Sequence, residues 1–307
     1  MTWKKLKHLF VADKQYEWMY SHGSNPVFSN LEGSINRIYF TCRDALSRSH
    51  IAYIDVDFDD DFKVVNIAKE PVLKPGKLGM FDDSGVVMGC FQNVGKRKFL
   101  YYLGWNLKVT VPWLNTIGLA ILDPETDTWV KASNAPIMDR SHEDPFSISY
   151  PSILFENNVY RMWYGSNLSW GEKQEDMKHV FKYAESTDGI HWERTNKIVV
   201  GLEHKNEYAL SKPWVIKDGG IYKMWYSFRA NNNISTYRIG YAESSDGINW
   251  QRLDKTVGID VSKSGWDSQM ISYPCVFDYN NKRYMLYNGN DYGKTGFGIA
   301  VLENPNG

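Results

Sequence analysis

Short runs of alternating apolar and polar residues follow one another along almost the whole chain, and the runs recur at a fixed distance. The most aromatic stretch spans residues 159–194. There Tyr160-Arg161-Met162-Trp163-Tyr164-Gly165 is followed by a polar loop, a second run Phe181-Lys182-Tyr183-Ala184-Glu185, an Asp188-Gly189 turn and Trp192. The same order returns over residues 221–252. Period-2 alternation rich in aromatic residues marks half-buried strands. Centred on Tyr39, Tyr101, Trp163, Trp225 and Leu286, the aromatic strands lie 62, 62, 62 and 61 residues apart. Five copies at this period predict an all-β chain folded as a five-bladed β-propeller with four-stranded antiparallel blades.

The other strands of each repeat follow from the same register. An X-Pro step stands upstream of four of the five aromatic strands, at Asn25-Pro26, Tyr150-Pro151, Lys212-Pro213 and Tyr273-Pro274, with Ser84-Gly85 in the second repeat. Because proline is tolerated at the first position of a strand, each step is expected to open the innermost strand of its blade. A third strand keeps an alanine in register, at Ala52, Ala120, Ala184, Ala242 and Ala300, and a fourth is announced by Trp129, Trp192 and Trp250. The last repeat lacks a fourth strand, and Thr2-Trp3-Lys4-Lys5 carries its pattern. The N-terminal strand is therefore expected to complete the last blade and remove an open edge, making residues 1–307 a single domain.

Composition narrows the function classes. The formal net charge is -1, so no global field draws the chain to nucleic acid or to an anionic surface. No apolar run reaches the ~18–20 residues of a membrane span, and the charged start MTWKKLKHLF does not read as a signal peptide. Cys42, Cys90 and Cys275 fit neither a metal spacing nor a disulfide framework. These features together read as a cytoplasmic protein. Phosphate-binding and dinucleotide glycine motifs, HExxH and the serine-hydrolase elbow are missing from the sequence, and no ligand set calls for a metal or a cofactor.

Candidate chemistry lies where a propeller's inner strands begin and its second strands end, around the axis. Those positions collect His22, Arg43, Asp82, Asp83, Trp105, Glu143, Asp144, Glu207, Lys212, Arg229, Gln269, Asn290 and Asp291. Carboxylates, amides, cations and flat rings together suit a small polyhydroxylated ligand, and sugar is the natural choice. Each residue also has a plainer role. Asp82-Asp83-Ser84-Gly85 reads equally as a polar turn, Glu143-Asp144 as a solvated loop, and each arginine as the partner of a neighbouring acid.

The repeats, the X-Pro steps and the YAES-x-DG-x-x-W hairpins at 183–192 and 241–250 resemble the five-bladed propellers of the glycoside hydrolase family 43 and family 32 group. That resemblance implies hydrolysis by a carboxylate triad, the first of which stands at an Asp-Pro step. The matching positions here are Asn25, Tyr150 or Ser149, and Ser211, none of them acidic. The acids nearby are Asp82-Asp83, Glu143-Asp144 and Glu207; Asp83 with Glu207 leads as the pair expected to supply acid and base across an axial pocket, Glu143 with Glu207 stands as the other pair, and His22 is a further proton carrier. The remaining candidates are expected to bind substrate. Two alternatives stand beside this reading: a non-catalytic carbohydrate-binding propeller, and a protein handling sugar nucleotides or phosphosugars in surface-polysaccharide synthesis.

Overall fold

A computed structural model describes residues 1–31, 33–230 and 236–303. Strand β1 (Trp3–Phe10) opens the chain, and β2 (Ala12–Tyr16), β3 (Met19–Ser29), β4 (Ile35–Arg43), β5 (Ser49–Asp57) and β6 (Lys63–Ile67) form the first antiparallel meander. The next comprises β7 (Gly85–Val94), β8 (Arg97–Leu107), β9 (Trp113–Asp123) and β10 (Thr128–Lys131). It is followed by β11 (Ile148–Glu156), β12 (Val159–Asn167), β13 (His179–Ser186) and β14 (Glu193–Val200). Then come β15 (Glu207–Asp218), β16 (Ile221–Ala230), β17 (Arg238–Ser244) and the short β18 (Gln251–Arg252).

The last group is β19 (Ser272–Tyr279), β20 (Lys282–Asn288) and β21 (Phe297–Leu302), and its outer edge is taken by β1, antiparallel to β21 with Trp3 opposite Leu302. The N-terminal strand thus closes the C-terminal group. Single parallel bridges, Ser49 to Gly85 and His179 to Ala209, link neighbouring groups. Strands β3, β7, β11, β15 and β19 pack on one another in that cyclic order and back to β3.

Periodicity explains why each group packs as it does. The alanines pair with Phe40, Leu100, Met162, Met224 and Met285 of the aromatic strands, and all five are fully buried. Small residues there let adjacent sheets approach closely. The hairpin motif has a local cause: Ser186 Oγ accepts the Gly189 N–H, and Asp188 Oδ1 accepts those of Ile190 and His191. The Gly189 carbonyl then receives the Tyr101 hydroxyl of the preceding group at 2.8 Å. Ser244 and Asp246 repeat the device, with Trp163 Nε1 donating to Gly247 O.

The prolines are not where sequence placed them. Pro26, Pro151, Pro213 and Pro274 lie inside β3, β11, β15 and β19 rather than opening them, each at a register slip: Ser24/Val27, Ser149/Ser152, Ser211/Trp214 and Ser272/Cys275. A bulge leaves one residue out of the ladder, so the missing proline donor costs nothing there. In β7 the slip falls between Met88 and Cys90, where Gly89 lets the Tyr101 carbonyl come close.

Candidate functional site

These bulges build the site. The residue before each proline is held in the left-handed region, with φ of 51° at Asn25, 44° at Tyr150, 50° at Lys212 and 56° at Tyr273. A non-glycine residue there costs on the order of 1–2 kcal/mol, and such strain collects where function demands a particular side-chain direction. Asn25, Tyr150 and Tyr273 line a central cavity of about 390 Å3. Lys212 is buried at 1% exposure and donates to the carbonyls of Gly89 at 3.0 Å and Met88 at 3.4 Å. Burial pulls its pKa down to about 8, against a small opposing influence of the Cys275 and Cys90 thiols.

Two guanidiniums reach the cavity. Arg43, the last residue of β4, lines the wall and forms no ion pair or side-chain hydrogen bond among the described residues. Arg229, on β16, donates to Tyr292 OH at 2.8 Å and lies over the rings of Tyr208 and Tyr237. Trp105 and Trp113 form flat walls, with Trp105 Nε1 donating to Ser49 Oγ at 3.2 Å. His179 also faces the cavity, and burial, with repulsion from Arg229, holds its imidazole down to about 3. Burial raises the phenols of Tyr150 and Tyr273, so both stay protonated hydrogen-bond donors near neutrality. The described residues that line the cavity include neither aspartate nor glutamate.

Of the residues singled out in the sequence, Arg43, Trp105 and Arg229 line the cavity, and Lys212 lies against the ring of Tyr150. The carboxylates are elsewhere and each has partners of its own. Asp83 accepts from Asn106 Nδ2, Gly79 N–H and Ser84 Oγ; burial would raise its pKa, but these bonds hold it below the usual range. Glu207 is buried and receives Arg252 through two 2.7 Å bonds. The structure therefore does not bring Asp83 and Glu207 together over the cavity. Glu143 caps its own turn through Ser141 Oγ at 2.6 Å. His22 meets Ser21 Oγ at 2.8 Å, and burial with the nearby Arg43 and Lys294 lowers its pKa to about 4. Asn290 ties the backbone of Gln269 and Met270 through Oδ1, while the side chains of Gln269 and Asp291 face solvent.

Asp82 and Asp144 belong to a repeated brace. Asp82 receives Tyr102 OH at 3.2 Å and Lys131 Nζ at 2.5 Å. Asp144, fully buried, receives Tyr164 OH, Ser166 Oγ, Lys182 and Arg194. Asp267 receives Tyr287 OH and Lys5. In each the tyrosine stands twenty residues after the aspartate. The outer-strand cation stands two residues after the marker tryptophan, at Lys5, Lys131, Arg194 and Arg252. Glu207 is the fourth member, since Arg252 holds it. These acids pin the loops that precede the inner strands. The sequence carried this signal as Trp-x-Lys/Arg.

Asn115, His179 and Tyr237 were not singled out, although each stands five residues before the register alanine of its repeat and all three face the cavity. That spacing is the mark by which they were findable.

No known family profile matches the chain. It is 46% identical over 306 residues, 99% of its length and 100% of the relative's, to the uncharacterized protein Rv1502 of Mycobacterium tuberculosis (strain ATCC 25618 / H37Rv). A shorter match, 35% identical over 112 residues, covers 31% of this chain and 35% of the beta-1,2-mannobiose phosphorylase of Thermoanaerobacter sp. (strain X514). Among solved structures, a glycosyl hydrolase from Bacteroides ovatus superposes with a TM-score of 0.70 at 14% identity, over 99% of this chain and 94% of the other. A structure from the GH130 family of mannoside phosphorylases, which contains glycoside hydrolases targeting beta-1,2 mannosidic linkages in Candida mannan, gives 0.69 at 13% identity over 99% and 94%. The GH32 beta-fructofuranosidase BmSUC1 of Bombyx mori gives 0.63 at 13% identity over 91% and 59%. The resemblance to the family 43 and 32 propellers read from the repeats is borne out as a likeness of fold.

Proposed function

The chain belongs to the family of the Mycobacterium tuberculosis protein Rv1502, and from that premise we propose that it is a carbohydrate-processing propeller whose cavity takes a sugar together with a phosphate group. The antiparallel groups, packed in a cycle through β3, β7, β11, β15 and β19, are read as the five blades of one ring-shaped domain. The observation that carries the functional reading is the lining of the axial cavity: Arg43 and Arg229, tryptophans, hydroxyl and amide groups, and no carboxylate among the described residues. The Arg43 guanidinium, unpaired among the described residues and set beside neutral donors, matches a phosphate oxygen pair. The tryptophan faces and phenolic donors match a pyranose.

The phosphate is either part of the ligand, as in a sugar phosphate, or a separate co-substrate. The partial match to a mannobiose phosphorylase favours testing mannosides first. Hydrolysis by the Asp83 and Glu207 pair is not adopted, because both acids are held by partners away from the cavity.

Thermal unfolding with mannose 1-phosphate, inorganic phosphate and mannose tests the reading, since a ligand that binds only the folded state raises the midpoint. The phosphorylated sugar is expected to raise it, and Arg43→Ala to abolish the shift. An equal shift with mannose alone, or no shift with either anionic ligand, overturns the proposal. Release of mannose 1-phosphate from beta-1,2-mannobiose and phosphate would identify the co-substrate form.

A further inference from the structure

The four most exposed large apolar side chains among the described residues lie on three adjoining loops, Leu107 at the end of β8 where that strand enters its loop, around one side of the cavity mouth. They are Val109 (102%), Leu78 (98%), Leu46 (76%) and Leu107 (69%), and the next, Val130 on β10, falls to 53%. Isolated exposed leucines are ordinary, whereas clustered ones mark a contact surface.

The three loops are physically joined. Loop 44–48 runs into Ser49, which bridges Gly85 at the end of loop 74–84. That second loop is fastened to the hairpin tip 107–112 by Asn106 Nδ2 on Asp83 at 2.8 Å and by Leu107 N–H on Ser84 Oγ at 3.1 Å. Here the bonds of Asp83 acquire a purpose: they hold Leu78 and Val109 on a common rim. The rim is continuous with the site, because Arg43 and Ser49 flank the first loop, Trp105 and Trp113 flank the third, and all four line the cavity.

Charge on these loops is one-sided, although the whole chain is nearly neutral. Lys74, Lys77 and Lys108 are exposed and form no ion pair among the described residues, and Arg48 is exposed as well. The acids of the same loops turn inward: Asp44 is bonded to Arg48 and His50, Asp82 to Lys131, and Asp83 to Asn106. Exposed aliphatic tips interleaved with lysines are complementary to an anionic lipid headgroup layer with acyl chains beneath it.

We propose that this rim, built from residues 44–48, 74–79 and 107–110, docks the protein on an anionic membrane surface and turns the cavity mouth toward the lipid. Near such a surface each basic residue is worth roughly fivefold in partitioning, and the leucine and valine tips add apolar insertion. The contact is peripheral, consistent with the lack of any helix long and apolar enough to cross a membrane among the described residues. This inference stands apart from the sugar reading, since bare vesicles carry no sugar.

Co-sedimentation of the full chain with phosphatidylglycerol/phosphatidylcholine vesicles, against phosphatidylcholine alone, is the test. Binding is expected to the anionic vesicles only, and to fall by more than about tenfold at ~0.5 M salt, where screening is nearly complete over a few ångströms. Leu78→Asp with Val109→Asp, and separately Lys77→Glu with Lys108→Glu, are each expected to lower binding by roughly tenfold or more, with unchanged melting. Equal sedimentation with both vesicle types, none with either, or variants that bind as well as the wild type overturns the proposal. A wild-type dimer that the variants dissociate, without vesicle binding, also overturns it and assigns the rim to a second copy of the chain. The wild-type arms decide by lipid charge and salt alone, so a misfolded variant does not blunt the test.

Discussion

The outer strands and the axis treat charge in opposite ways. On the outer strands Lys5, Lys131, Arg194 and Arg252 each reach a buried acid, Asp267, Asp82, Asp144 or Glu207, so every carboxylate of the brace meets a cation. At the axis Arg43 meets no carboxylate among the described residues, Lys212 donates to carbonyls and lies against the rings of Tyr150 and Trp214, and the described residues of the cavity lining include no acid. The same repeat that commits its acids to loop geometry leaves Arg43 on the cavity wall without a counter-ion among the described residues. The acids therefore belong to the scaffold, whereas Arg43 faces the cavity.

Removing a brace acid should have the largest effect. Asp144→Ala leaves the buried Lys182 and the half-buried Arg194 without this counter-ion and is expected to cost about 3–5 kcal/mol, read as a fall in the urea midpoint. A loss below about 1 kcal/mol would mean that the brace is ornamental and the contrast false. Tyr164→Phe removes one hydrogen bond from the same acid and is expected to cost about 1–1.5 kcal/mol.

Arg43→Ala should do the reverse: stability within about 0.5 kcal/mol of the wild type, as for surface changes away from the core, with loss of the phosphate-dependent thermal shift. A large destabilisation by this change would place Arg43 among the braces instead.

Acid sharpens the contrast further. His179 titrates near 3 in the folded chain and at its ordinary value of 6.5 when unfolded. The unfolded state therefore binds the proton first, so its contribution is fully present above pH 6.5 and is lost as pH falls toward 3. His179→Gln should flatten the fall in stability between pH 6.5 and 3, as followed by denaturation midpoints, and an unchanged slope would reassign the effect to other groups. Smallest of all is Asp61→Ala, which removes the exposed pair with Lys7 and should shift stability by less than about 0.5 kcal/mol.

The architecture was legible because it rests on periodicity. Trp163, Trp225 and the five alanines are buried where alternation placed them, and the Thr2-Trp3-Lys4-Lys5 pattern does pair with the last strand. The site was legible only in part. Arg43, Trp105 and Arg229 were found from the ends of strands, since those ends converge on the axis. Asp83 and Glu207 were chosen by adjacency to inner strands, and adjacency says nothing about direction. A bulge turns Asn25, Tyr150 and Tyr273, each standing before its proline, into the cavity, and the preceding loop acids turn back to the outer strand.

By itself, then, the sequence determined the strands, their order, the register alanines and the closing role of the N-terminal segment, because hydrophobic alternation and turn chemistry are local and repeat. Only the tertiary structure decided which charged groups meet. Lys5 and Asp267 are 262 residues apart in the chain and 2.7 Å apart in space, and the partition between matched acids and unmatched cations depends on such contacts. Pairing across a ring is a property of closure, and no window of sequence contains it.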